Sequence, residues 1–256
     1  MINKLFHSQV YKKDLVYEKK SRYIKTKKII SILRDTSLTP LKELKLLDVG
    51  CASGLISLYL SRYFKKVTGA DVDKEAIKEA KKLKNKKLFF KLLNLDGSFP
   101  FDKNSFDVVV ANQIYEHAKN PKLLMKEIHR VLKPDGTCFL GAGNRLIIRD
   151  AHYPNLPFVS WLPTWLANYY VRITKSGDYY EPRLKTSFGI RKMIRNFSID
   201  DYTLKVIKNP VKFSSTDVIK KNSLITKLPN FILKILYFII PNYLLILRKK
   251  KIHDRL

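Results

Sequence analysis

The chain has 256 residues, 45% hydrophobic and 12% aromatic, which is enough to bury a core in one large domain and too apolar for a disordered chain. Its formal charge is +28, from 50 basic and 22 acidic side chains, so an anionic partner has to be weighed against plain solvation of the surface by lysine. Lys supplies 38 of the basic residues and Arg only 12, a mix that suits solvated faces or point-charge attraction to anionic lipid better than bidentate contacts to nucleic acid.

Two cysteines, Cys51 and Cys138, lack CxxC partners, which argues against a zinc site or a disulfide framework and fits a reducing cytosol. No metal is expected. The first fifteen residues lack the apolar stretch of a signal peptide.

In chain order, residues 14–34 read as a basic helix within an N-terminal segment, 1–40, that leads into a domain spanning 41–256. KLLDVG, at 45–50, is a short apolar run closed by glycine and reads as a strand, followed by a helix in GLISLYLSRYF. KVTGAD (66–71) is a second strand, and DKEAIKEAKKLKN (73–85) a helix with Asp73 as its N-cap. A third strand is expected over 87–96 and a fourth, the valine run FDVVVANQ, over 106–113. Asn120-Pro121 opens a helix expected over 121–133, and LKPDGTCFLGAG gives a turn and a fifth strand. A helix at 187–197, a sixth strand at 199–207 and an antiparallel seventh strand at 242–249 complete the expected order. Strands alternating with helices of this length imply a mostly parallel sheet covered on both faces, with the ligand beyond the carboxyl ends of the strands.

The first strand ends in Asp48, then turns through Gly50 and Gly54 into a helix. Asp71 closes the second strand 21 residues after Gly50, where a carboxylate can accept bonds from ribose hydroxyls. A dinucleotide fingerprint would place glycines where Ala52 and Leu55 stand, so a pyrophosphate and a dehydrogenase are poorly served. D-x-G-x-x-x-G suits a ribose-bearing ligand with an amino-acid tail, whose ammonium Asp48 can meet.

LLDVGCASG, VTGADVD, LNLDGSFPFDKNSFDVVVANQIYEH and HRVLKPDGTCFL together resemble the successive signatures of class I S-adenosylmethionine-dependent methyltransferases, in the small-molecule branch that includes quinone-biosynthesis enzymes. The resemblance covers about residues 44–143. It implies an α/β, Rossmann-like, seven-stranded, mostly parallel sheet with a C-terminal antiparallel strand, and S-adenosyl-L-methionine as the methyl donor. Carried over position by position, it implies that Asp48, Gly50, Cys51, Ala52 and Gly54 line the methionine and ribose side. Asp71 would hold the ribose, Val72 would face the adenine, and Asp96, with Gly97 beside it, would meet the adenine amino group. Asn112 and Gln113 would form the floor near the transferring methyl. Cys51 reads equally as a small packing residue.

His117 follows the fourth strand and is a candidate general base, since imidazole titrates near neutrality; a structural role in the loop is the competing reading. His152 is a second candidate, in an insertion at about 150–197 rich in Pro, Trp and Tyr that reads as a cap. Residues 223–240 read as an apolar helix lying in a membrane interface, or else as core; with two prolines and a lysine in reach they make a poor span. The expected protein is therefore a cytoplasmic methyltransferase, associated with the inner face of the membrane, acting on a small-molecule or lipid-linked acceptor such as a lipid-linked sugar, a surface glycan precursor or an isoprenoid lipid. An RNA methyltransferase is the alternative raised by the charge. Asn112-Gln113-Ile114-Tyr115 lacks the prolines usual in base-amino methylation. A non-catalytic cofactor-binding protein is the third reading.

Overall fold

The computed structural model describes residues 15–149, 153, 156–180 and 183–250. Seven strands form one sheet: β1 (Lys45–Val49), β2 (Lys66–Asp71), β3 (Leu88–Leu92), β4 (Phe106–Asn112), β5 (Leu132–Gly143), β6 (Phe197–Asp201) and β7 (Asn242–Lys249). Their spatial order is β3-β2-β1-β4-β5-β7-β6. The first five are parallel, while β7 slots between β5 and β6 antiparallel to both. The order reverses direction between β1 and β4. At such a switch point the flanking loops leave on opposite faces and open a crevice.

Local sequence explains most of these elements. In β4 Val108 to Ala111 are all buried, as expected for a central strand covered on both faces. The Asp73 side chain accepts from the amides of Glu75 and Ala76 and starts α3 (Lys74–Ala80). Asn120 accepts from Leu123, with Pro121 in the first turn of α4 (Pro121–Val131). α1 (Leu15–Thr36) buries Ile29, Ile30, Ile32 and Leu33 in the cluster that holds Leu46 of β1 and Ile246 of β7, so it packs into the sheet domain. α2 (Leu55–Leu60) follows the turn after β1.

Four boundaries differ from the sequence reading. β3 ends at Leu92: the Leu93 amide still donates to the Asp71 carbonyl, but the chain then turns over 94–98, where the Gly97 amide donates to the Asn94 carbonyl. α4 ends at Val131, where Leu132 takes up extended backbone and pairs with Phe106. The helix expected over 187–197 is shorter: α5 spans Thr164–Ile173 within the cap, α6 covers only Ser187–Met193, and β6 begins at Phe197. The sixth strand stops at Asp201, whose carboxylate accepts the Thr203 amide and opens α7 (Thr203–Lys208). Val206 and Ile207 read as strand residues but are buried on a helix face.

The expected single helix at 223–240 is broken. Pro229 separates α8 (Leu224–Lys227) from α9 (Asn230–Leu236), and a 3-10 turn, Tyr237–Ile239, leads into β7. Among the described residues no helix is long and apolar enough to cross a membrane.

Candidate functional site

The crevice at the switch point is built by the turn after β1. Gly50 and Gly54 have φ of +75° and +80°, and Ala52 between them has φ of +45°. A Cβ on Gly50 would lie 2.5 Å from Ile114, and Gly50 is further required to be glycine by its left-handed backbone. The amides of Gly50 and Cys51 both donate to the Ala70 carbonyl, at 2.8 and 3.1 Å, which pins the turn to β2. Asp71 completes it: one carboxylate oxygen accepts the Ala52 amide at 2.8 Å and the other the Asp73 amide at 3.0 Å. A carboxylate offers about four acceptor positions, so two remain for hydroxyls. Burial pushes the Asp71 carboxyl up from its usual value, against the pull of the amides from Asp73 and Ala52.

Asp48, Gly50, Cys51, Ala52 and Asn112 line the crevice, with Ser53, Leu55 and Ile56. Arg22 of α1 lines it too. Sequence reasoning missed Arg22. It stands 26 residues before Asp48, one cation among many in a basic helix, and nothing local in its pattern marks it. Asp48 is buried and accepts from the Ser57 hydroxyl at 2.6 Å. Burial raises its carboxyl to about 7; Ser57 and the charge of Arg22 pull it down, while Asp71 pushes it up. Cys51 is buried, and its thiol is pushed well up by that burial, which suits packing and not nucleophilic chemistry.

The Asp48 value sets a pH dependence. In the free protein the folded chain keeps a proton on Asp48 that the unfolded chain releases near its ordinary value of 3.8. The stability so gained is complete below about pH 4 and is lost as pH rises through about 7; the gap between 3.8 and about 7 corresponds to roughly 4 kcal/mol. Urea titrations of the free protein are expected to show unfolding free energy falling over that interval, and Asp48→Asn is expected to flatten the fall. An equally steep fall in the Asn variant would assign the effect elsewhere.

The far wall comes from the end of β4. Asn112 is half-buried and packs so closely that a Cβ on Gly141 would overlap its Oδ1. Gln113 has φ of +55°, ends the strand, and donates from Nε2 to Asn242 Oδ1 at 3.1 Å. Tyr115, fully buried, donates its hydroxyl to the Gly143 carbonyl at 2.6 Å and accepts the Lys185 amide at 2.9 Å. That pair of bonds fixes the loop carrying Glu116 and His117 at the carboxyl end of β5. Glu116 is a second residue missed from the sequence: it is 1% exposed beside His117. His117 itself is half-buried. His129, the other histidine among the described residues, stacks on Phe197 at 5.1 Å on the body of α4.

The cap is tied to the same strand end. Arg145 donates to the carbonyls of Ser160 at 3.0 Å and Leu162 at 3.3 Å, and Ser160 returns its hydroxyl to the Arg145 carbonyl at 2.7 Å. Trp161 donates to the Ile147 carbonyl at 2.9 Å. His152 lies outside the described residues.

Asp96 stands apart from the crevice residues. With β3 ending at Leu92, Asp96 falls in an exposed turn with Gly97 at φ of +93°. Its carboxylate accepts both the amide and the hydroxyl of Ser98 at 2.8 Å, and the Ser98 amide holds it below the usual carboxylate range. It caps its own turn; Asp96, Gly97 and Val72, which is exposed at the end of β2, do not line the crevice, and neither do Gly54, Asp71 and Gln113, which flank it through the turn after β1 and the ends of β2 and β4. A larger depression, about 480 Å³, lies among Phe99, Pro100, Phe101, Asp102, Ser105 and Arg130. It sits at the amino end of β4, and Arg130 is spent on Glu127 and the carbonyls of Phe99 and Phe101. Among the described residues no three His, Cys, Asp or Glu side chains gather to hold a metal ion.

A family model described as a methyltransferase domain matches residues 47–140. The ubiquinone biosynthesis O-methyltransferase of Pelagibacter ubique (strain HTCC1062) is 31% identical over 193 residues, covering 72% of this chain and 78% of the relative. The chain belongs to the class I S-adenosylmethionine-dependent methyltransferases. A mitochondrial ubiquinone biosynthesis O-methyltransferase from Rattus norvegicus is 33% identical over 112 residues, but only 32% of its length is covered. The fold is shared with the Haloferax volcanii methyltransferase solved in complex with Trm112 (TM-score 0.55, 16% identity, 92% and 95% of the two chains covered). It is shared also with the PH0226 protein of Pyrococcus horikoshii (TM-score 0.56, 16% identity, 93% of each chain). As a class I methyltransferase the enzyme uses S-adenosyl-L-methionine, and the residues present fit that donor: the Arg22 guanidinium and the Asp48 carboxyl in the crevice suit an amino-acid zwitterion, and Asp71, held against the turn by the Ala52 and Asp73 amides, suits a ribose.

Proposed function

We propose that this methyltransferase moves the methyl group to a hydroxyl oxygen of a small apolar acceptor, such as a phenol or alcohol carried on an isoprenoid or other lipid. The observation that carries this reading is the cap, held by Arg145 at the end of β5. On α5 Ala167 and Val171 face inward, while Trp165, Tyr169 and Ile173 stand exposed four residues apart. An aromatic surface on a cap tied to the carboxyl end of β5, on the same edge of the sheet as the crevice, favours a greasy acceptor. The relatives named as ubiquinone biosynthesis O-methyltransferases point to oxygen as the atom modified.

In this reading Arg22 holds the donor's carboxylate, Asp48 its ammonium and Asp71 its ribose hydroxyls. The bound sulfonium supplies a methyl that needs no further activation. The chain's own work is alignment, exclusion of water and removal of one proton. A hydroxyl acceptor needs that proton taken, and His117 receives it.

Arg22→Ala is expected to weaken donor affinity about 10- to 100-fold, the range of one charge-assisted hydrogen bond, while Arg22→Lys recovers part of the loss. Calorimetric titration reads both; an unchanged affinity in the Ala variant would remove Arg22 from the site. The acceptor is tested with isotope-labelled methyl donor and a catechol with and without an isoprenoid tail. The expected product is a methyl ether, formed at higher kcat/KM on the tailed compound. Label entering RNA, or nitrogen of any acceptor, in preference to the tailed hydroxyl would overturn the reading.

A further inference from the structure

α9 and the 3-10 turn after it form a short rod from 230 to 239. Leu233 is buried beneath it, and Ile232, Leu236 and Tyr237 are half-buried. The outward side should be polar if it met only water. Instead Phe231, Ile235, Phe238 and Ile239 are 65%, 69%, 58% and 43% exposed, at the i, i+4, i+7, i+8 spacing of one helical stripe. Leu224 on α8 is 82% exposed. Apolar exposure of this continuity marks an interaction surface.

The charge around the stripe selects its partner. Residues 202–250 carry ten Lys or Arg and one acidic side chain, Asp217. Asp217 lies 3.7 Å from Lys28. Lys220, Lys221, Lys227 and Lys234 are exposed on the chain leading into and through the stripe. Arg248 is the one arginine of this stretch, whereas protein interfaces favour Arg over Lys. An apolar stripe rimmed by lysines fits an anionic lipid surface. The seven-residue helix is far too short to enter as a span.

The rod is also tied to the site. Asn144 donates from its Nδ2 to the carbonyls of Phe238 at 2.7 Å and Ile240 at 2.8 Å. Asn144 is the residue after β5 and immediately before Arg145, which holds the cap. We propose that the Phe231–Ile239 stripe is a peripheral docking surface for anionic bilayers, which holds the carboxyl end of β5 at the surface where a lipid-borne acceptor resides. Its purpose rests on the apolar-acceptor reading above; its test does not.

The test is sedimentation of the full chain with vesicles of phosphatidylcholine alone and with about one third phosphatidylglycerol, at low and high salt. Binding is expected to the anionic vesicles, to weaken at high salt, and to fall at least about tenfold in Phe231→Glu/Ile235→Glu. Donor affinity, measured on the same preparations by calorimetry, is expected to be the same in both proteins. No binding by the wild type, or equal binding by the variant, overturns the docking surface. So does a stable wild-type dimer that the variant dissociates, which would assign the stripe to a second copy of the chain. Donor binding lost in the wild type would sink the methyltransferase site and leave the vesicle result standing.

Discussion

Asp71→Ala is expected to lower affinity for S-adenosylmethionine by at least about a hundredfold. Two hydrogen bonds from ribose hydroxyls to a carboxylate are lost, at about 1.5–3 kcal/mol each. Asp71 does a second job, since it accepts the amides of Ala52 and Asp73 and so closes the turn. The Ala variant therefore unfolds at lower denaturant as well, by an amount on the order of 1–3 kcal/mol for amides left without their acceptor. The two roles separate with a donor analogue lacking the ribose hydroxyls. If the carboxylate reads ribose, the deoxy analogue loses much less on mutation than the natural donor. Equal losses for both ligands would reduce Asp71 to a turn residue, and a loss under about threefold would remove it from the site.

His117→Ala is expected to lower kcat on the hydroxyl acceptor by about 10²–10⁴ and leave donor affinity within about threefold. The pH profile distinguishes a base from a structural residue. Without the imidazole, only acceptor that has ionised by itself reacts, so the variant's kcat should climb about tenfold per pH unit towards the phenol range near 10. The wild type, in which the imidazole takes the proton, should show no such climb. A histidine that merely holds the loop would, when removed, lower thermal stability and donor affinity together and leave the shape of the profile intact.

The parallel half of the fold was legible because its signals are local. The apolar run closed by Gly50, the Asp73 cap, the Asn120-Pro121 start and the valine run of β4 each carry their own reason. β7 was found over its observed range, an apolar stretch after a proline. The second half was less legible for equally physical reasons. In Thr203–Lys208 β-branched residues suggested a strand, but the Asp201 carboxylate takes the Thr203 amide and starts a helix. Between 223 and 240 the run of Leu and Ile suggested one helix, and Pro229 cuts it.

At the site the same division holds. Asp48, Gly50, Cys51 and Ala52 reach the crevice because the strand-turn-helix motif carries its own residues there, and Asn112 because β4 pairs beside β1. Asp96 lies four residues beyond the observed end of β3, and Ser98 beside it takes its carboxylate. Arg22 arrives through tertiary packing of α1, which no spacing within the motif encodes. Glu116 carries no local signal of burial in the sequence; it is buried in the loop that the Tyr115 hydroxyl ties to Gly143.

What the crevice after β1 binds decides the chemistry of the protein. The direct measurement is calorimetric titration of the wild-type chain near neutral pH with S-adenosylmethionine, S-adenosylhomocysteine and NAD. The predicted result is saturable binding of both sulfur compounds with affinity on the order of micromolar and no heat from NAD, since Ala52 and Leu55 stand where a pyrophosphate would need glycine. A chain that melts cooperatively yet binds neither sulfur compound, or that binds NAD in their place, would contradict it.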